Sequence, residues 1–323
     1  MTVGDTRAGA RTLGATGPEV SRLCLGTSNY SRANFGDGPV EPLETVLDLA
    51  GQAEAPITLI DTSNEYGGAA SEVFVGDALR RRGGSPVVVQ SKLDRDPETG
   101  SFSSRRMWRS LAESTARLGI DRLPMLYLHD PEHITWQEAF EPDGPVRALV
   151  EMKERGLVDA IGISGGPAPM LLRYVETGLF DAVITHNRFT LVDRSADELL
   201  SVSAARGVTV VNAAVYGGGA LAKWPAPVER YAYRPADPAM ALAIDRMGRA
   251  CESAGVSLAA AALQASTRDP RVTSTIVGAS TAAQVHEAIA ADAVEISDSL
   301  WAELASLAPS SDLWQDPPGS SWA

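Results

Sequence analysis

The chain has 323 residues, of which 44% are hydrophobic and 21% charged, and its 28 Lys+Arg against 41 Asp+Glu leave a net charge of −13. That composition excludes a disordered or fibrous protein, and the acidic balance argues against a general nucleic-acid binder, which needs a basic face. Two cysteines, Cys24 and Cys251, cannot make a disulfide framework. With no basic-then-apolar leader and no run of about 18 apolar residues, the expectation is a cytoplasmic protein with no membrane partner.

Residues 1–10 and the tail from about Ala308 are read as irregular, which leaves a core of about 11–307 within one domain, 1–323. Residues 11–21 (RTLGATGPEVS) predict a hairpin around a Gly-Pro turn. Short apolar, β-branched runs follow at 23–26 (LCLG), 57–61 (ITLID), 87–90 (VVVQ), 125–129 (MLYLH), 160–164 (AIGIS), 182–186 (AVITH), 208–213 (VTVVNA) and 275–278 (TIVG). They are too short for helices and apolar on both faces, as buried parallel strands are.

Between these runs, 41–50, 71–82, 103–118, 145–155, 169–177, 195–206 and 281–290 carry amphipathic spacing with ordinary start and stop signals. The longest interval, between the seventh and eighth runs, holds a Pro/Tyr/Trp-rich loop at 217–238 and helical segments near 240–254 and 257–266. Eight β-then-α units of even spacing predict an α/β fold, a (β/α)8 TIM barrel with an N-terminal β-hairpin, over a long doubly wound sheet. In a barrel, that hairpin plugs the bottom.

Active sites of such barrels sit at the C-terminal ends of the strands. The second run ends in Asp61 with Tyr66 five residues on, the third leads into Ser91-Lys92, and the fourth ends in His129-Asp130. Singly, each has an ordinary structural reading: a helix-capping Asp, a packed Tyr, a hydrogen-bonded core His. Lys92 is harder to dismiss, because only Lys153 and Lys223 share its residue type. A lysine after an apolar strand needs a carboxylate partner or a lowered pKa.

Together the four residues have a chemical logic. Tyrosine, with an ordinary pKa of about 10, is a poor proton donor near neutrality. A cationic lysine beside it favours the phenolate, an aspartate holds the lysine charged, and a histidine opposite can orient a substrate oxygen. That set suits protonation of a carbonyl oxygen while hydride arrives at carbon, or the reverse.

The pattern Asp61-x4-Tyr66, Lys92 in QSKL and His129 in LYLHDP, with the leading TLGATGPEVSRLCLGTSN, resembles the aldo-keto reductase superfamily. The resemblance runs from about Arg11 to Leu307. It implies Tyr66 as general acid/base, Lys92 and Asp61 as its tuning pair and His129 as substrate orienter. It also implies NAD or NADP lying across the barrel mouth, held by residues drawn from Gly26, Thr27, Asp61, Ser164, Gly165, Asn187, Ala214, Tyr216, Gly217, Gly278, Ser280, Gln284 and Glu287, with no metal.

Several positions depart from the family pattern. Gly165 stands where an Asn is usual, Ala213 where a Tyr often lies under the nicotinamide, and Asn187, or else His186, where a Gln is expected. No Lys or Arg lies at 278–280 and no Arg at Gln284, so a 2′-phosphate lacks its usual partners and NAD is favoured. Ser280 and the helix N-terminus after it remain able to hold an anion through backbone N–H groups.

The segments FDAVITHNRFTLVDRSA and NAAVYGGGALA resemble the branch of aldose 1-dehydrogenases (L-fucose or L-galactose dehydrogenase) and pyridoxal 4-dehydrogenase. This implies oxidation of a sugar hemiacetal to a lactone; a general aldehyde or ketone reductase is the alternative. Tyr30, Asp94 and Asp130 are candidates to face the substrate. Other readings are weaker: a Schiff-base aldolase on Lys92, a dinucleotide fingerprint at 217–222 that comes late and lacks its acidic partner, a metal hydrolase on His129 and His133, or a redox-sensing subunit without turnover.

Overall fold

The computed structural model describes residues 11–14, 17–52 and 54–322. Eight runs apolar on both faces need cover on both sides, and they obtain it by closing into a parallel barrel with helices outside. The strands are β1 (Leu23–Gly26), β2 (Ile57–Asp61), β3 (Val88–Leu93), β4 (Met125–His129), β5 (Ile161–Gly165), β6 (Ala182–His186), β7 (Thr209–Ala213) and β8 (Ser274–Gly278). Pairing of Thr275 with Leu23 through Gly278 with Gly26 joins β8 to β1, which rules out the open doubly wound sheet.

Around the barrel lie α1 (Glu41–Leu49), α2 (Ala70–Arg82), α3 (Ser104–Leu118), α4 (Pro145–Glu154), α5 (Ala168–Glu176), α6 (Asp197–Ala205), α7 (Pro238–Ser253), α8 (Leu258–Thr267), α9 (Ala282–Ala293) and α10 (Asp298–Ser306). Side-chain caps start several of them: Ser103 Oγ accepts from Arg106 N at α3, and Ser257 Oγ accepts from Ala260 N at α8. Gly83 and Gly119 end α2 and α3 in the left-handed conformation that glycine adopts without strain.

Two differences from the sequence expectation have physical reasons. β3 runs to Leu93, three residues past 87–90, so Ser91 and Lys92 lie inside the strand. Each finds a buried partner there, Ser91 Oγ on Glu72 Oε1 at 2.6 Å and Lys92 Nζ on Asp61 Oδ2 at 2.7 Å, so the ladder continues through polar residues. The second is α10, which was not expected; Ser297 caps it, and Leu300 and Leu304 bury its inner face against α7.

Below the strands, Arg11–Thr12 pairs antiparallel with Glu19–Val20. Leu13 and Val20 are buried among Cys24, Leu59, Met125, Tyr127 and Val211, so the hairpin closes the barrel floor as expected. Its tip, residues 15–16, and residues 1–10, which were expected to be irregular, lie outside the described residues. The tail after Ala308 is irregular but tied down: Arg188 Nε donates to Asp316 Oδ2 at 2.8 Å and Ala168 N to the same oxygen at 2.7 Å.

A second core forms where α7, α8 and α10 pack with Leu221, Tyr231 and Ala232. It carries the long connection between β7 and β8, including a ribbon of Arg230–Tyr231 against Arg234–Pro235. Where the chain's ends meet, Arg22 pairs with Asp292 at 2.8 Å, Asn29 Nδ2 donates to Ser280 Oγ at 2.8 Å, and Ala282 N donates to Glu41 Oε2 at 3.3 Å. Among the described residues, no helix is long and apolar enough to cross a membrane.

Candidate active site

At the C-terminal mouth of the barrel, β2 and β3 place Asp61 and Lys92 side by side. Lys92 Nζ donates to Asp61 Oδ2 at 2.7 Å, to Thr62 O at 2.9 Å and to Tyr66 Oη at 3.1 Å. Both charges are buried, Lys92 at 2% and Asp61 at 3% side-chain exposure, so neither tolerates losing the other. Gln90 Nε2 donates to the second Asp61 oxygen at 2.9 Å, and Tyr127 Oη donates to Gln90 Oε1 at 3.1 Å. This chain of buried bonds fixes Lys92 where its three donors are all used.

Burial favours the neutral forms of both Lys92 and Tyr66. For Lys92 the Asp61 charge outweighs burial, and its pKa lies above the ordinary lysine value. For Tyr66 burial prevails over the pull of Lys92, and the phenol pKa is raised. The expected lowering by Lys92 is present but smaller than desolvation, so Tyr66 rests as a neutral proton donor.

His129, at the end of β4, stands edge-on to Tyr66 with ring centroids 5.6 Å apart. Its Nδ1 lies 2.5 Å from Asp94 Oδ1 and 3.1 Å from Ser63 Oγ. Ser63 Oγ donates to Asp94 Oδ2, which also accepts from Glu65 N at 3.0 Å. Asp94 was expected to face substrate; its carboxylate is instead buried and bound to His129 and the loop after β2, because an ionised carboxylate in that place needs donors. Tyr30, expected beside it, is fully buried and packs edge-on against Phe35. Asp130 does line the mouth, with a left-handed φ of 47°.

Tyr66, Lys92, His129 and Asp61 share a cavity of about 310 Å³ with Gly26, Ser164, Ala214, Tyr216 and Gly278. Among the remaining expected cofactor residues, Thr27 is a buried brace, donating to Asp61 O at 2.8 Å, and does not line the cavity. Gly165 is buried, and a Cβ there would meet Glu132 Oε2 at 2.7 Å. Gly217 sits under the Tyr231 ring, which a Cβ would meet at 2.3 Å. Ser280, Gln284 and Glu287 are exposed at the start of α9.

His186 lines the cavity, and Asn187 sits behind it with its Nδ2 3.2 Å from His186 Nδ1. Of the two candidates, Asn187 and His186, the side chain of His186 at the end of β6 reaches the mouth, while Asn187, one residue past the strand at φ 59°, is buried behind it. Burial, with Arg188 adding to it, brings His186 down to about 4, so it is neutral. Tyr233, from the ribbon between β7 and β8, also lines the cavity and meets His186 edge-on at 5.9 Å. Only the Tyr-rich composition of 217–238 hinted at such a residue.

The cavity suits the nicotinamide end of a dinucleotide. Ala213, Ala214 and Gly278 present no bulk, and a Cβ at Gly278 would meet nothing within 4 Å, which leaves space beyond β8 for an extended ligand. Asn187 Oδ1 is buried without a hydrogen-bond partner nearby. A side vestibule of about 280 Å³, reached past His129, is lined by Glu65, Asp94, Asp130 and Arg95.

The aldo/keto reductase family model matches residues 22–309. L-Galactose dehydrogenase of Arabidopsis thaliana is 30% identical over 291 residues, covering 88% of each chain. D-threo-Aldose 1-dehydrogenase of a Pseudomonas species is 30% identical over 327 residues, 93% of this chain and 97% of the other. The holo form of aldo-keto reductase AKR11C1 from Bacillus halodurans superposes with a TM-score of 0.76 at 22% identity, covering 93% of this chain and 96% of that one. The chain belongs to the aldo/keto reductase family, whose members are NAD(P)-dependent oxidoreductases acting on CH–OH or C=O groups.

Proposed function

We propose that this chain oxidises the hemiacetal hydroxyl of an uncharged aldose to a lactone, with NAD in preference to NADP. The observation that carries the redox reading is the Asp61–Lys92–Tyr66 chain, at 2.7 and 3.1 Å, opening on one cavity with His129. The dinucleotide, when bound, supplies C4 of its nicotinamide as the hydride acceptor. The protein's part is proton handling: Tyr66 Oη exchanges the hydroxyl proton, Lys92 holds that oxygen's charge, and His129 hydrogen-bonds the same substrate oxygen. Ser164, His186 and Tyr216 would hold the nicotinamide end, with Gly278 leaving passage for the rest.

The preference for NAD is supported by what occupies the start of α9. Ser280 N already donates to Gln284 Oε1 at 2.6 Å, Gln284 N to Thr281 Oγ1 at 3.2 Å, and Ala282 N to Glu41 Oε2 at 3.3 Å. The backbone donors expected to hold an anion are thus taken, and one of them by a carboxylate that repels a 2′-phosphate. For the substrate, the Glu65 and Asp130 carboxylates beside Arg95 in the vestibule favour a neutral polyol over a phosphorylated or acidic sugar. Two relatives carry aldose or galactose dehydrogenase names.

Steady-state kinetics with both cofactors over a panel of neutral aldoses, their 6-phosphates and uronic acids tests this. Expected are lactone formation from a neutral aldose and a higher kcat/KM with NAD. A more than about hundredfold preference for NADP, equivalent to ~2.7 kcal/mol, sinks the cofactor reading, and no turnover on any aldose sinks the substrate reading. Glu41→Gln should narrow the NAD preference about two- to fivefold, the scale of one exposed charge. A second reading, general carbonyl reduction, is favoured by Tyr66 resting as a neutral proton donor.

A further inference from the structure

The bond between His129 and the vestibule carboxylate lies outside the set of groups that touch the reacting atoms. Asp94 follows β3 by one residue and is nearly fully buried, yet its carboxylate has three donors around it. His129 Nδ1 meets one oxygen at 2.5 Å, and Ser63 Oγ with Glu65 N meets the other. Arg106, from α3, bonds the Asp94 backbone oxygen at 3.0 Å and anchors the turn. These contacts hold Asp94 from four directions, and it can offer His129 only an acceptor.

From this geometry we infer that Asp94 is a positioning residue of the reaction: by accepting from Nδ1–H it holds the His129 imidazole doubly protonated and aims its Nε2–H into the cavity as the donor to the substrate oxygen. The inference rests on the reading of His129 as the substrate-orienting group. A free imidazole can place its proton on either nitrogen and turn its ring over; the carboxylate removes both freedoms. As negative charge grows on the substrate oxygen during hydride transfer to a carbonyl, a charged imidazole at that point stabilises it more than a neutral one.

The electrostatics agree with the geometry. Burial pulls the His129 pKa down, but the Asp94 charge and hydrogen bond, with Asp130 adding to them, carry it above the ordinary histidine value. The other groups around the ring are Lys92 and Arg95 on the β3 side, Glu65 and Tyr66 after β2, Glu132 and His133 after β4, and His186 on β6. Since the folded-state value is raised, the charged form and the stability it lends are complete below the ordinary histidine range. Both are lost as pH rises through the raised value. Carbonyl reduction should lose rate over that same alkaline interval.

The test is Asp94→Asn in the full-length protein, with His129→Gln as a control. The chain has four histidines, so the imidazole signals of His129 can be followed individually by NMR through a pH titration. Asp94→Asn is expected to lower the His129 titration midpoint by at least about one pH unit and move the alkaline limb of kcat with it. It should cut kcat roughly tenfold or more, as loss of an imidazole-orienting carboxylate does, while leaving the cofactor Kd unchanged. Ser63→Ala removes one donor to Asp94 and leaves the carboxylate a stronger acceptor for Nδ1, so it should shift the midpoint the opposite way and by less; it serves if the first variant does not fold. An unmoved His129 midpoint and pH profile in a folded Asp94→Asn protein overturns the inference. Wild-type turnover in His129→Gln would instead overturn the underlying role of His129, whatever the NMR shows.

Discussion

The two walls of the barrel mouth are built on opposite principles. The wall of β2, β3 and β4 holds Asp61, Lys92, Asp94 and His129 in fixed places through buried, mutually satisfied charges and hydrogen bonds. The wall of β6, β7 and β8 presents Ala213, Ala214 and Gly278, with Tyr216 and Tyr233 as its bulk, and lends shape more than charge. The difference matches two tasks. A proton must be handed over along a fixed line, where small misplacement is costly; a long cofactor needs a smooth trough with room, and its backbone and small side chains supply that.

Breaking the first wall should hurt most. Tyr66→Phe removes only a hydroxyl, so kcat should fall by about 10²–10⁴ while the cofactor Kd, followed by fluorescence quenching, stays put. Turnover near wild type would move the proton-transfer role elsewhere in the wall. Lys92→Met leaves the Asp61 carboxylate charged, buried and bonded only to Gln90; urea unfolding should show a loss of about 3–5 kcal/mol. Adding Asp61→Asn should recover a good part of that loss, and if it does not, the pair is not the source of the cost. On the second wall, Gly278→Val has open space for its side chain, so the protein should melt with the wild type. The valine stands in the trough, and NAD binding should weaken roughly tenfold, ~1.4 kcal/mol; unchanged binding would mean the dinucleotide does not pass there.

The same contrast governs what could be read from the sequence. The strand-end positions of Asp61 and His129 were legible because β2 and β4 begin and end where their apolar runs do. Lys92 was legible because lysine is rare in this chain and a buried lysine demands a partner. Asp94 was misread: nothing in SKLDRD tells whether a carboxylate past a strand end points to solvent or back to a histidine on the next strand. The direction of the Tyr66 pKa was misjudged for a related reason, since spacing reveals the neighbouring lysine but not how much water burial removes. On the cofactor wall, glycine and alanine carry no chemical label, so nothing in the sequence told that Gly217 also makes room for the Tyr231 ring. Tyr233 comes from a ribbon whose placement depends on the second core of α7, α8 and α10, a long-range packing that no local pattern announces.

The joining of β8 to β1 and the ties of Arg22 to Asp292 and Ala282 to Glu41 have a consequence for how the molecule assembles. During synthesis, one edge of β1 has no partner until residues 274–278 have emerged, and until then it is an open edge of the kind that recruits stray strands. The first wall of the mouth is translated long before this, yet its ring is completed only by the last strand. Removing the final β/α unit would therefore leave the early catalytic residues in place on an unclosed sheet, and the protein's ability to fold depends on its last quarter as much as on its first.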